Sequence, residues 1–142
     1  MPRKKKPNRD AAERVRHLIA VDTAAVMKRL ATRQTEMVRL FSRLRDRSPL
    51  LEVVHSWFST ISFGELAAIE PHEQKAVNAF YELLSDLRWY LQYTEDMPLQ
   101  VQQRVVKFAH ELRAAHRALT EVIGPAEAEG AEVIEAQVLK KA

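Results

Sequence analysis

The chain has no cysteine among its 142 residues, which excludes disulfide frameworks, thiolate metal sites and cysteine nucleophiles. Three glycines are too few to build a phosphate-cradling loop, and no GxGxxG, GxSxG or P-loop pattern occurs. Long apolar runs are also missing. Charged residues interrupt every hydrophobic stretch before the ~18 residues that a membrane span requires, and the MPRKKKPNRD start leads into a charged segment, not an apolar secretory core. These absences predict a cytoplasmic protein with no membrane span, no bound cofactor and no metal.

What remains is helix-forming material. Ala, Leu, Glu and Arg are abundant and glycine is scarce, which favours helix almost throughout, and a 46% hydrophobic content suffices for one core. Proline supplies the punctuation. Ser48-Pro49, Glu70-Pro71 and Met97-Pro98 each end one pattern and open the next, and Gly124-Pro125 reads as a helix stop. Asp10 followed by Glu13 has capping-box spacing. The predicted helices cover about 10–47, 49–61, 71–95 and 98–123.

Projection at 100° per residue supports packed helices. Val15, Ile19, Val26, Leu30, Met37, Leu40, Phe41 and Leu44 share about 100° of arc on the first, the width of one buried stripe. Val77, Phe80, Tyr81, Leu83, Leu84, Leu87 and Leu91 form a broader face on the third. Val101, Val105, Phe108, Ala109, Leu112, Ala115, His116, Leu119 and Ile123 do the same on the fourth, and Leu50, Val54, Trp57, Phe58 and Ile61 supply the second. The expected fold is an all-α antiparallel bundle of about four helices with a long N-terminal helix. A basic arm spans 1–9, the bundle domain 10–124, and an acidic tail 125–142 that is read either as a short helix from about 131 to 140 or as disorder. The first helix is longer than its neighbours, so it either bends near Asp22-Thr23 or projects, and projection predicts a homo-oligomer or a subunit of a larger complex.

Charge is distributed unevenly. The first 47 residues hold fourteen Lys or Arg against five Asp or Glu, whereas the remaining residues hold eight against fourteen. Lys28, Arg29, Arg33, Arg39, Arg43 and Arg47 fall on one arc of roughly 140° beside the apolar stripe, with Arg3, Lys4, Lys5 and Lys6 preceding them. Arginine forks and a basic arm suit phosphate contacts that position without reading bases. The predicted function is a non-enzymatic assembly subunit whose basic segment contacts nucleic-acid backbone without sequence specificity. The alternative is a protein-protein adaptor whose basic limb docks on an acidic protein. Arg104, Arg113 and Arg117 on the fourth helix are expected to matter less. The acidic tail, carrying Glu127, Glu129, Glu132 and Glu135, is a candidate intramolecular latch for the basic limb.

Trp89 and Tyr93 stand four residues apart on a polar face beside Glu82 and Asp86, which marks a protein interface. Arg88 instead falls within the apolar face and is expected to pair with a carboxylate such as Glu36 or Glu111, or to reach past the helix edge. Catalytic and metal patterns fail on geometry. His110 and His116 are six apart where a zinc-protease pair needs four, and Glu52/His55 is a single pair where bundle di-iron chemistry needs two. A helix-turn-helix over 62–81 would present Glu73, Glu82 and Asp86 to the groove, the wrong charge for DNA. Peripheral membrane binding would need the apolar stripe that the bundle consumes.

Overall fold

The computed structural model describes residues 5–43 and 46–126, with side chains from Asp10 onward. Among the described residues there are five α-helices and no strand: α1 (Lys5–Phe41), α2 (Ser48–Val53), α3 (Phe63–Leu66), α4 (Pro71–Tyr93) and α5 (Pro98–Ile123), with a 3-10 turn at Phe58–Thr60. The all-helical architecture and the long N-terminal helix match the sequence reading, as do the proline starts of α4 and α5. α5 stops where Gly124 takes a φ of 89°, a value that glycine adopts without the Cβ clash of other residues.

Side-chain pairs fix the directions. Arg16 reaches Glu73, Asp22 reaches Tyr81, and Phe41 stacks on Tyr90 at 5.6 Å between ring centroids, so α1 and α4 run the same way. α5 returns antiparallel to both, with Ile123 beside Ala20 and Ala109 beside Leu30 and Ala31. Residues 46–70 run back along α1 from its C-terminal end toward Val15, where α3 lies. The second leg is therefore present but broken into two short helices and a turn, not the single helix expected over 49–61.

The break has a local cause. α2 ends in the β-branched pair Val53-Val54, and Ser56 accepts the Phe58 N–H on its own hydroxyl, an alternative to the helical ladder. Asp22 of α1 then completes the turn. Its carboxylate accepts from Ser56 Oγ at 2.6 Å, from the Trp57 backbone N–H at 2.9 Å and from Tyr81 Oη at 2.6 Å. Seven residues further along α1, Arg29 donates to the carbonyls of Val53 and His55, the groups left open where α2 ends. A second restart follows at Ser62, whose hydroxyl accepts the Glu65 N–H while Glu65 accepts the Ser62 N–H, the reciprocal box that opens α3.

Further departures from the sequence reading concern α1 itself. It begins at Lys5, so Asp10 is internal and caps nothing, and Lys5 and Lys6 belong to the helix. It ends at Phe41, so Arg43 lies in the following turn and Arg47 precedes α2. α1 stays continuous through Asp22-Thr23, where the Thr23 hydroxyl donates to the Ile19 and Ala20 carbonyls. At ~1.5 Å per residue, α1 is about 55 Å long against about 35 Å for α4. Even so, Ala12, Val15, Ile19, Val26, Leu30, Met37 and Phe41 are all buried within the one chain, where α5 and the broken leg both pack on α1. Trp57, expected in the core, is 65% exposed. Leu44, the basic arm from 1 to 4 and most of the acidic tail lie outside the described residues.

The buried polar cluster makes the first prediction. Asp22→Ala leaves one backbone N–H and two hydroxyls unpaired in a mostly buried site, which should cost roughly 2–4 kcal/mol, while Tyr81→Phe, losing one partner, should cost about 1 kcal/mol. Urea unfolding followed by circular dichroism measures both, and equal stability of Asp22→Ala and the parent would contradict the assignment. Leu112, fully buried, should tolerate no charge, and Leu112→Asp should abolish cooperative melting.

Candidate nucleic-acid interface

The ten cations expected to contact phosphate occupy three different situations. Arg3 and Lys4 lie outside the described residues, and Lys5 and Lys6 are described only as part of the α1 backbone. Lys28, Arg33 and Arg43 are exposed. Arg29, Arg39 and Arg47 have partners within the fold, and two of these hold backbone carbonyls.

Arg47 is the clearest case. Its guanidinium lies 4.0 Å from the Phe41 ring centroid and donates to Leu91 O at 2.9 Å and Thr94 O at 3.3 Å. It thereby satisfies carbonyls at the end of α4, where the helix dipole also favours a cation. Arg29 does the same for α2. Arg39 pairs with Glu36 one turn back, an exposed i,i+3 contact that holds Glu36 below the usual carboxylate range through the Arg39 hydrogen bond. Glu36 therefore has a partner other than Arg88, which is half-buried on α4.

A further arginine, Arg16, escaped the sequence reading. It grips Glu73 with two parallel hydrogen bonds of 2.7 and 2.9 Å. Glu73 is 2% exposed and also accepts the Glu70 N–H at the start of α4, so one carboxylate both caps α4 and ties it to α1. The Arg16 hydrogen bond is the main cause that pulls the Glu73 carboxyl below its ordinary value, and burial opposes it. Arg16 and Glu73 are 57 residues apart, so no helical spacing in the sequence points to their contact.

The fold also places a cation that α1 periodicity does not include. Arg113 of α5 and Lys28 of α1 line one groove about 270 Å³ in volume, whose floor includes Met27, Leu30 and Ala109. Lys107, Arg113 and Arg117 are exposed on α5. The exposed positive surface thus crosses from α1 to α5 and does not follow the single α1 arc.

Trp89 and Tyr93 are 60% and 64% exposed with ring centroids 5.6 Å apart, as the polar-face position implied. Tyr93 borders a shallow depression shared with Asp46, Ser48 and Leu51 of the α2 region. The histidines sit as expected: His110 is exposed, while His116 is half-buried near Phe80, where burial lowers its pKa. Among the described residues, no three acidic or histidine side chains converge as metal ligands, and no helix is long and apolar enough to cross a membrane. α3 has only four residues, too short for the leading helix of a helix-turn-helix. Comparison with protein-family models, curated proteins and solved structures gives no match, so geometry alone carries the functional reading.

The Arg16–Glu73 pair sets an acid-range prediction. Glu73 titrates lower in the folded chain than its ordinary 4.5, so its contribution is present above that pH and is lost as pH falls through the folded value. His116, lowered from 6.5, likewise stabilises above 6.5 and loses that contribution as pH falls. Arg16→Gln should therefore flatten the stability loss below about pH 4.5 while preserving the part that begins near pH 6.5. Urea midpoints from pH 3 to 8 measure this, and parallel profiles for parent and variant would contradict the pairing.

Proposed function

We propose that this chain is a non-enzymatic assembly subunit whose exposed cations contact nucleic-acid backbone without reading base sequence. The observation that supports this most is the exposure of Lys28, Arg33 and Arg43 in a 47-residue segment that holds fourteen Lys or Arg against five Asp or Glu. The contact surface extends to Arg113 and Arg117 on α5, where the fold adds charge beside Lys28. Arg29 and Arg47 contribute to the scaffold, since each is engaged with backbone carbonyls.

A second reading, an adaptor for an acidic protein, draws support from a separate observation. Trp89 and Tyr93 form an exposed aromatic pair on α4, and their Glu82 and Asp86 neighbours, exposed on the same helix, would repel phosphates. In this reading the aromatic pair holds a protein in the same assembly while the α1 and α5 cations hold the polyanion or an acidic partner.

Titration with DNA and RNA duplexes and single strands tests the first reading. If about four phosphates are neutralised, log K should fall with log salt at a slope of about −3.6 for duplex DNA and about −2.8 for single strands. The triple change Lys28→Glu, Arg33→Glu and Arg43→Glu should remove most affinity without altering helicity or melting. No measurable binding at ~50 mM salt would discard the nucleic-acid reading and favour the acidic-protein adaptor. Trp89→Ala with Tyr93→Ala should leave the salt slope unchanged and weaken assembly, read as a lower mass by light scattering or as loss of a copurifying protein. Unchanged assembly would remove the aromatic pair from the interface.

A further inference from the structure

The α1–α5 groove described above has an apolar floor and a positive rim. Met27, Leu30 and Ala109 line it together with Lys28 and Arg113, and its lining contains no acidic residue. It also lacks an aromatic ring on which an unpaired base would stack. Such a surface suits a short segment carrying both apolar and acidic side chains better than it suits bare phosphodiester.

The chain itself ends in a segment of that chemistry. Residues 127–142 carry Glu127, Glu129, Glu132 and Glu135 together with Val133, Ile134, Val138 and Leu139, followed by Lys140 and Lys141, so four acidic residues stand against two basic ones. The described chain reaches Ala126, and Pro125 lies beside Glu13, His17 and Ala20 of α1. From Ala20 to the groove between Met27 and Gln34 is about 10–21 Å along α1 at ~1.5 Å per residue. Five residues, 127–131, can span about 17 Å when extended, which reaches the groove and leaves Glu132 to Ala142 to occupy it.

We infer that residues 127–142 of this same chain dock in the α1–α5 groove, with Ile134 and Val138 on the Met27/Leu30/Ala109 floor and Glu132 and Glu135 toward Lys28 and Arg113. Length and exit point favour this occupant, and its acidic residues all precede Val138 while Lys140 and Lys141 follow Leu139, which sets Glu132 and Glu135 apart to face the cationic rim. The tail is tethered within reach, so it competes at a high effective concentration against any free acidic segment. Because it covers Lys28 and Arg113, it also opposes polyanion binding there, yet the docking itself does not depend on the nucleic-acid reading.

The absence of cysteine makes the test direct. Ala31→Cys with Val138→Cys in the full chain places one thiol in the groove and one on the tail, and Ser85→Cys with Val138→Cys on exposed α4 serves as the reference pair. Under mild oxidation at low micromolar concentration, the Ala31 pair should form an intramolecular disulfide at least about tenfold faster than the reference pair, as expected for a positioned tether over a freely sampling one. Lys28→Glu with Arg113→Glu should erase that advantage, and adding Glu132→Lys with Glu135→Lys should restore it. Circular dichroism checks that each variant keeps its helicity. Equal rates for the two pairs would overturn the proposal, as would a product that is mainly a disulfide-linked dimer, which would assign the groove to the tail of a second copy. Nucleic-acid titration of the same variants reads the separate functional question, so either reading can fail while the other stands.

Discussion

The structure depends on Asp22. A carboxylate in the middle of a long helix is an unusual core component, and it persists here because every group aimed at it is a donor: a serine hydroxyl, a tyrosine hydroxyl and the Trp57 backbone N–H. The arrangement joins α1, the broken leg and α4 at one point. Tyr81, the α4 partner, is buried and stacked on Phe58 at 3.8 Å, and burial with the Asp22 hydrogen bond drives its hydroxyl pKa upward, so the donor stays protonated. Arg29, two helical turns along α1, completes the clamp by taking the carbonyls of Val53 and His55. Opposite charges on α1 thus meet opposite backbone dipoles on the leg, Arg29 at the end of α2 and Asp22 at the start of the 3-10 turn.

The same logic explains much of the charge imbalance. A basic segment with few acidic partners reads as a ligand surface only if its cations are idle. Arg29 and Arg47 instead neutralise helix C-terminal carbonyls, which carry partial negative charge but no formal charge and so are invisible in a count of Asp and Glu. Arg16 has a formal partner, but one that lies on α4. The cations that remain exposed are fewer than the sequence count suggests, and Arg113 brings the α1 and α5 sets together across a groove.

Much of the fold was legible because it depends on short-range signals. Proline at helix starts and the 100° stripes of α1, α4 and α5 are local, and the buried residues follow them closely, whereas the capping boxes stand at Ser62/Glu65 and Glu70/Glu73 and not at Asp10/Glu13. The second leg was not legible. Its apolar residues repeat at helical spacing, yet Asp22 and Arg29 offer the 53–57 backbone better partners than the next helical turn would, and that competition is set by residues about 24 to 35 positions away. The exposure of Trp89 and Tyr93 followed from the polar face they share with Glu82 and Asp86. The pairing of Lys28 with Arg113 did not follow, because it requires knowing which side of α5 meets α1.

The central claim is that side chains of α1, not a local ladder, hold the broken leg in place, and the Trp57 backbone N–H reports on it alone. Trp57 has an exposed side chain and lies outside any α-helix, while its amide is bonded to the Asp22 carboxylate at 2.9 Å. Residue-resolved amide hydrogen exchange on the native chain should find this amide protected to nearly the level of the core amides of α4, and Asp22→Asn should lower that protection selectively. Rapid exchange at Trp57 in the parent chain, with α1, α4 and α5 still protected, would contradict the account.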